Sequence, residues 1–386
     1  MKVAIDIGNS TIKGAFLTNE HELIDEILKP SAVNLINHEK YLSYHNDEIF
    51  FQIIDSPLQH FEEITCISKT ALDRPNYIEY DVTSTSYKSD HKITTALLFG
   101  SIIEQVNEDT NIKLAVSVPI VESKSLGLTE RYQKLLEGKH EIIKYTKNGQ
   151  QKITITIEKA QVLNEGQSGF YGLLDENDQT FQETMNHIYN LKGHEENPIY
   201  YFEDFLIVDI GDGTTDFAMF RGKNFNPEYS YSVTRGYGNL LEEAIKTAQK
   251  EDLTIESRKE LQKLLTSTNK LRQKRKDMWL EYINPQIKEF VETVTDTILK
   301  AYGQKDYFDA IIFLGGGFTA LTDYSVDYNK KTKETNIQMS NSLLFDVLES
   351  KMTKTKKDAG IIFGIPKPYA QTINERGLIQ AVTIND

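Results

Sequence analysis

The feature that most constrains this chain is a motif that occurs twice. VAIDIGNSTIKGAF at residues 3–16 and FLIVDIGDGTTDF at residues 205–217 each run an apolar strand onto an aspartate and then into a turn of glycine and hydroxyl residues. A fold that accepts both copies has two similar halves, each opening on a strand–turn–strand hairpin. Such a turn presents consecutive backbone N–H groups in a concave nest that binds anions, phosphate above all. Its glycines let backbone approach a ligand closely. A single copy is equally an ordinary tight hairpin; two copies, one per half, suit a polyphosphate gripped from two sides. The candidate phosphate contacts are Gly8, Asn9, Ser10 and Thr11 in the first turn, and Gly211, Asp212, Gly213, Thr214 and Thr215 in the second.

The two strand-end carboxylates need a separate reason. Asp6 and Asp209 cannot touch phosphate directly, because like charges repel. Mg²⁺ removes the conflict, since it is held by one or two carboxylates together with phosphate oxygens. Both are therefore candidate metal ligands, Asp209 the stronger; the other reading is a carboxylate that caps its own turn. Lys13 follows the first turn, where its ammonium can reach a β- or γ-phosphate as a point charge, or else sits solvated on an edge strand.

The chain has 386 residues and a net charge of −14, which suits roughly two domains. The charge is uneven, −12 over residues 1–200 and −2 over 201–386. An acidic chain is poorly suited to neutralise DNA phosphates, so direct nucleic-acid binding is not expected. No apolar run has the ~18 residues of a membrane span, and the sequence starts on a strand, which argues against a targeting segment. The lone Cys66 excludes a disulfide framework and fits a reducing cytoplasm.

Along the chain, strands are expected at 2–7, 12–17 and 23–28, followed by a polar and irregular insertion at 31–90. A helix is expected at 92–106, a strand at 113–118, a helix at 129–136 and a strand at 152–157. The second half repeats the plan, with strands at 206–209 and 216–220, a helix from 239 and an S-x-x-E capping box at Ser257 and Glu260. A buried strand at 310–314 runs into Gly315, Gly316 and Gly317, which suits close packing of backbone against a nucleoside. Gly238 leads into the helix that carries Glu242 and Lys246, candidates for ribose or adenine unless they simply pair with each other. There is no G-x-x-x-x-G-K-[ST] and no G-x-G-x-x-G opening a helix near the start, which excludes a P-loop and disfavours a dinucleotide fold. Basic runs at 269–279 and 351–358 read as solvated helix faces or as docking surfaces.

DIGNSTIKG, DIGDGTTD and the strand-GGG resemble the two phosphate motifs and the adenosine motif of the actin, Hsp70 and sugar-kinase ATPase superfamily. QVLNEGQSGFYGLL (161–174) looks like its first connecting helix and KDAGIIFGI (357–365) like its second, with Ala359, Gly360 and Gly364 as the small crossing surface. Within that superfamily the chain is most similar to the bacterial plasmid-segregation actins, the ParM/StbA group. The resemblance implies an α/β actin-like ATPase fold of two RNase-H-like domains, each with an inserted subdomain. Domain I would span 1–160 and domain II 161–386 with an insertion at about 239–285, and ATP would lie in the interdomain cleft. It implies ATP and Mg²⁺ as cofactors and Glu165 as the catalytic residue that positions the attacking water, with Gln161 as the fallback, acting with Asp209. It also implies self-assembly into filaments and a centromere-binding, ParR-like adaptor that carries plasmid DNA. A small-molecule kinase of the same superfamily, or another bacterial cytoskeletal actin-like protein, is the alternative.

Overall fold

The computed structural model describes the chain apart from residues 43, 45–47, 81–86, 126, 176–177, 192, 194–197, 304–305, 330–333, 368 and 385–386. The chain divides into two compact units, Met1–Asp175 with Thr372–Asp386, and Glu176–Gln371.

Unit 1 runs β1 (Lys2–Ile7), β2 (Thr11–Leu17), β3 (Leu23–Pro30), β4 (Ala32–Ile36), β5 (Phe50–Asp55), β6 (Ile64–Ile67), α1 (Ser68–Leu72), β7 (Ile78–Glu79), α2 (Lys92–Gln105), β8 (Thr110–Val118), α3 (Ile120–Ser123), α4 (Leu128–Leu136), β9 (Gly138–Thr146), β10 (Gly149–Asn164) and α5 (Glu165–Leu173). All ten strands join one sheet, in the order β3-β2-β1-β8-β10-β9-β5-β6-β4-β7. KVAIDI of β1 is buried at every position, as expected of a strand flanked by a parallel neighbour and covered on both faces. It pairs antiparallel with β2 and parallel with β8. The 31–90 insertion differs from expectation. Its described residues are largely ordered into β4–β7, and β5 pairs with β9, so the insertion lengthens the main sheet. Its apolar residues, Ala32, Phe50, Ile64 and Cys66, close a small core with Tyr145. Burial there pushes the Cys66 thiol up to about 12, which makes it a packing group.

Unit 2 runs α6 (Gln179–Leu191), β11 (Phe205–Ile210), β12 (Thr215–Arg221), β13 (Asn224–Phe225), β14 (Tyr231–Val233), α7 (Tyr237–Gln249), α8 (Arg258–Leu265), α9 (Gln273–Ala301), β15 (Tyr307–Leu314), α10 (Gly316–Thr322), β16 (Ser325–Asn329), β17 (Glu334–Gln338), α11 (Leu343–Thr355) and β18 (Asp358–Gly364). The sheet order is β13-β12-β11-β15-β18, with β14 also on β12. This repeats the β3-β2-β1-β8-β10 plan of unit 1. Half of the capping box forms: the Ser257 hydroxyl accepts the Glu260 N–H at 3.2 Å and starts α8, while the Glu260 carboxylate accepts from the Glu256 N–H at 3.0 Å. The 239–285 insertion does not form a core of its own. Leu240, Leu261, Trp279 and Ile283 belong to the same apolar cluster as Leu206 and Ile311.

Two boundary expectations are corrected. Residues 357–365 are not a connecting helix. Asp358–Gly364 is β18, which pairs parallel with β15 through Ile311↔Ile362 and Ile312↔Phe363; the apolar IIF run fills a central-sheet position. Residues 161–164 finish β10, and the first connecting helix starts at Glu165. Its partner is α12 (Ile373–Ile384), which returns to unit 1. There Leu378 and Val382 pack with Ala4, Leu17 and Ala115. The small crossing surface is Gly172 and Gly377: a Cβ on Gly377 would lie 1.7 Å from the Ser168 carbonyl oxygen, and one on Gly172 2.0 Å from that of Ile373. The break between units therefore falls at 175 and 371, not at 160.

Candidate functional site

In unit 1 the first turn is closed by the Gly8 N–H donating to the Thr11 carbonyl at 3.0 Å. Ser31, at the entry to β4, ties the turn from outside: its hydroxyl donates to the Gly8 carbonyl at 2.6 Å and its N–H to the Ser10 carbonyl at 3.1 Å. Gly8, Asn9 and Thr11 remain half-buried and Ser10 exposed, so the rim of the turn can meet a ligand. Asp6 sits opposite Lys13 in the β1–β2 register and is only 3% exposed. Lys13 Nζ donates to its Oδ2 at 3.2 Å, and the Ser117 hydroxyl, from the end of β8, donates to Oδ1 at 2.8 Å. A third group, Lys88 Nζ, lies 3.7 Å from Asp6 Oδ1 and 3.3 Å from Glu165 Oε1. Burial opposes the charge on Asp6, but the cations of Lys13 and Lys88 and the Ser117 hydrogen bond outweigh it and hold the carboxyl at about 2.

Glu165 is the first residue of α5. The helix is capped by Asn164, whose Oδ1 accepts the Gln167 N–H at 2.8 Å. The cap fixes the helix start at the end of β10, and so fixes where Glu165 projects. The fallback, Gln161, lies within β10. Glu375 on α12 adds a further carboxyl to this region. Burial, with the charges of Glu26 and Asp6, pushes it up to about 8 against the pull of Lys13 and Arg376.

In unit 2 the second turn is closed in the same way, Gly211 N–H to the Thr214 carbonyl at 2.9 Å. The start of α7 docks onto it. Tyr237 N–H donates to the Gly211 carbonyl at 3.0 Å and Gly238 N–H to that of Asp212 at 2.8 Å. No side chain fits at several of these positions. A Cβ on Gly238 would lie 2.5 Å from Asp212 Oδ1, one on Gly317 2.5 Å from the Gly211 oxygen, and one on Gly315 2.3 Å from Asp209 Oδ1. Gly315 also has φ +96°, a conformation close to glycine-only. Gly316 faces Gln371. Asp209 is 6% exposed and sits opposite Asp216, which accepts from the Ser232 hydroxyl at 2.6 Å. The Thr215 hydroxyl donates to the Arg235 carbonyl at 2.8 Å. Gly213 and Thr214 are half-buried at the rim. Arg258 bridges Asp212 at 2.8 Å and Glu242 at 3.0 Å, so Glu242 pairs with an arginine on α8 while Lys246 stands exposed one turn along α7.

The structure thus brings Asp6, the first turn, Lys13 and Glu165 together in unit 1, and Asp209, the second turn, Gly238, Glu242 and Gly315–Gly317 together in unit 2. Sequence reasoning missed Lys88, Ser117, Glu122, Arg258 and Glu375. A serine one residue before the end of a buried strand was a usable signal for Ser117, given that the preceding apolar strand runs parallel to β1. No local pattern marked Lys88. Among the described residues no helix is long and apolar enough to cross a membrane.

Comparison with known proteins bears on the fold. Residues 4–167 match a family model described as the N-terminal domain of actin-like proteins. Residues 207–324 match one described as the C-terminal domain of the archaeal actin homologue MreB-like. Among solved structures, the actin-like protein Alp7A aligns with TM-score 0.62 and 15% identity over 99% of this chain and 95% of its own. Bacillus thuringiensis ParM with ATP aligns with TM-score 0.55 and 16% identity over 98% and 97%. A non-polymerisable quadruple mutant of pCBH ParM aligns with TM-score 0.59 and 14% identity over 98% and 98%. No curated protein sequence matches the chain.

Proposed function

From a chain with the actin-like fold, whose two halves match actin-like family models, we propose an ATPase that assembles into filaments and moves plasmid DNA through an adaptor protein. The observation that carries the reading is the duplicated turn. In both units the penultimate residue of a buried strand is an aspartate, and a glycine N–H closes a four-residue turn whose rim stays accessible. Two such nests suit a polyphosphate. The ParM structure with ATP supplies the ligand class, and the non-polymerisable ParM mutant supplies the link to assembly.

In this reading the turns Gly8–Thr11 and Gly211–Thr215 hold phosphate oxygens through N–H groups and hydroxyls other than the Gly8 and Gly211 N–H groups and the Thr215 hydroxyl, which hold the turns themselves, and Lys13 adds a cation. Glu165 orients the attacking water and accepts its proton. Gly315–Gly317, with Gly238, Glu242 and Lys246, border the nucleoside. The residues also fit Mg²⁺, with one adjustment. Among the described residues no group of three or more His, Cys, Asp or Glu could hold a metal ion, so the ion arrives with phosphate ligands, as Mg²⁺ usually does. Asp209 is the residue that would hold it. Asp6 already faces two ammonium groups and a hydroxyl, so its part would be to anchor those cations. When bound, Mg²⁺ neutralises phosphate charge.

The test uses the full chain with Mg-ATP, following phosphate release and sedimentation together. Phosphate release with a nucleotide-dependent pellet is expected. Glu165→Ala should slow release by roughly 100-fold or more while ATP still binds and the pellet persists longer. A chain that stays monomeric at high concentration with ATP and phosphorylates a small hydroxyl compound instead would establish the kinase reading.

A further inference from the structure

The geometry points to Lys88 as the positioning residue of the hydrolytic site, a buried ammonium that holds Asp6 and Glu165 as one charged unit. The inference rests on the ATPase reading and adds a residue to it. Lys88 is 4% exposed. A buried ammonium is costly unless it is paired and hydrogen-bonded, and this one reaches two carboxylates that belong to different elements. It lies 3.3 Å from Glu165, 77 residues away at the start of α5, and 3.7 Å from Asp6 on β1.

The backbone that delivers it is itself clamped. Residues 88–90 form a single 3-10 turn before α2. The N–H groups of Lys88 and Ser89 both donate to the carboxylate of Glu122 on α3. Glu122 is 1% exposed. Burial pushes its carboxyl up, while the two N–H groups and Lys88 draw it back. α3 follows directly from the end of β8, the same strand end that sends Ser117 to Asp6. One strand-to-helix junction therefore fixes Lys88 by its backbone and Asp6 by its side chain. Lys88 itself stays cationic: burial disfavours its charge, but Glu165, Asp6 and Glu122 together prevail. Among the described residues, Lys88 and Lys13 act on Asp6, Lys88 acts on Glu165, and the further carboxyls of this region are Glu122, beside Lys88, and Glu375, on which the Asp6 charge acts.

With Lys88 in place, the Glu165 carboxylate is held in one position by the ammonium 3.3 Å away before water is activated. Without it, Glu165 loses the cation that favours its charged form and the contact that fixes its rotamer. The experiment compares wild type, Lys88→Met, Lys88→Arg and Glu122→Gln in the full chain, reading ATP affinity, single-turnover hydrolysis from pH 5 to 9, and thermal unfolding. Lys88→Met should lower the hydrolysis rate by about 100-fold with ATP affinity within about threefold, and move the acid limb of the rate profile to higher pH. Lys88→Arg should recover at least about a tenth of the wild-type rate, because the charge is retained. Glu122→Gln keeps Lys88 and should lower the rate by roughly tenfold in the same direction. A Lys88→Met chain with wild-type rate and pH profile overturns the inference alone. So does equal loss of rate and affinity with no recovery in Lys88→Arg, including the case where Lys88→Met fails to fold and Glu122→Gln is unaffected. A wild-type chain that does not hydrolyse ATP overturns both readings.

Discussion

The two hairpin turns share a backbone and differ in charge. In each, a glycine N–H closes onto a threonine carbonyl, at 3.0 Å in unit 1 and 2.9 Å in unit 2. Each aspartate has its antiparallel neighbour directly opposite. In unit 1 that neighbour is Lys13; in unit 2 it is Asp216. Asp6 is thus surrounded by cations, while Asp209 faces a second carboxylate and abuts a glycine. The second turn also carries Asp212, whose counter-charge is Arg258. A duplicated scaffold thus carries opposite electrostatics at its two turns, ammonium groups around Asp6 and a second carboxylate opposite Asp209.

The most disruptive way to test that contrast is to copy unit 2 into unit 1. Lys13→Asp places two carboxylates face to face beside Lys88. Breaking a buried pair of this kind costs about 3–5 kcal/mol, read by urea unfolding, and ATP affinity should fall by about 100-fold or more. Unchanged affinity would break the comparison. Wild type supplies the pH counterpart. Asp6 is held down at about 2, so its stabilisation is complete above the ordinary carboxylate range and is lost as pH falls through about 2.

Gly315→Ala against Gly8→Ala asks whether the glycines are equivalent. The Gly315 Cβ would strike Asp209 Oδ1, from a backbone conformation of φ +96°. The Gly8 Cβ would have its nearest neighbour, the Thr11 oxygen, at 3.1 Å without that strain. The expected costs are about 3 kcal/mol and under about 1 kcal/mol, by thermal unfolding.

Glu375→Gln sharpens the electrostatic side. The raised carboxyl near 8 is neutral in the fold where the unfolded chain would ionise it, so it erodes stability as pH rises from the ordinary carboxylate range to about 8. Each unit of offset is worth about 1.4 kcal/mol, and relaxation toward water reduces the expected gain to about 2 kcal/mol. Glu375→Gln should therefore stabilise the chain at pH 8 and leave it unchanged at pH 4, opposite in sign to Asp6. The smallest effect is expected of Arg258→Ala. It removes a partly exposed pair of contacts worth about 1 kcal/mol and, on the ATPase reading, should weaken ATP binding by a few-fold, because Asp212 loses its arginine counter-charge.

Much of this was legible in the sequence for a definite reason. The hairpins, the strand ahead of Gly315 and the Ser257 cap are local patterns, and local patterns survive translation into structure. The expectations that failed for the connecting segments were of another kind. KDAGIIFGI has the small residues of a helix crossing, but its apolar run is also what a buried parallel strand requires, and the free position beside β15 decided between them. The true crossing, Gly172 against Gly377, joins residues whose closeness follows from chain return. Lys88 was invisible for the same cause. A lysine in a polar stretch carries no mark of burial until Glu122, Asp6 and Glu165 are brought around it from three other elements.

The return of α12 to unit 1 has a consequence for biogenesis. During synthesis the ribosome delivers all of Glu176–Gln371 before the helix that covers Ala4, Leu17 and Ala115 exists. Domains generally mature in the order they emerge; here unit 1 cannot be finished until unit 2 has been made, and it must wait with part of its sheet uncovered until α12 follows.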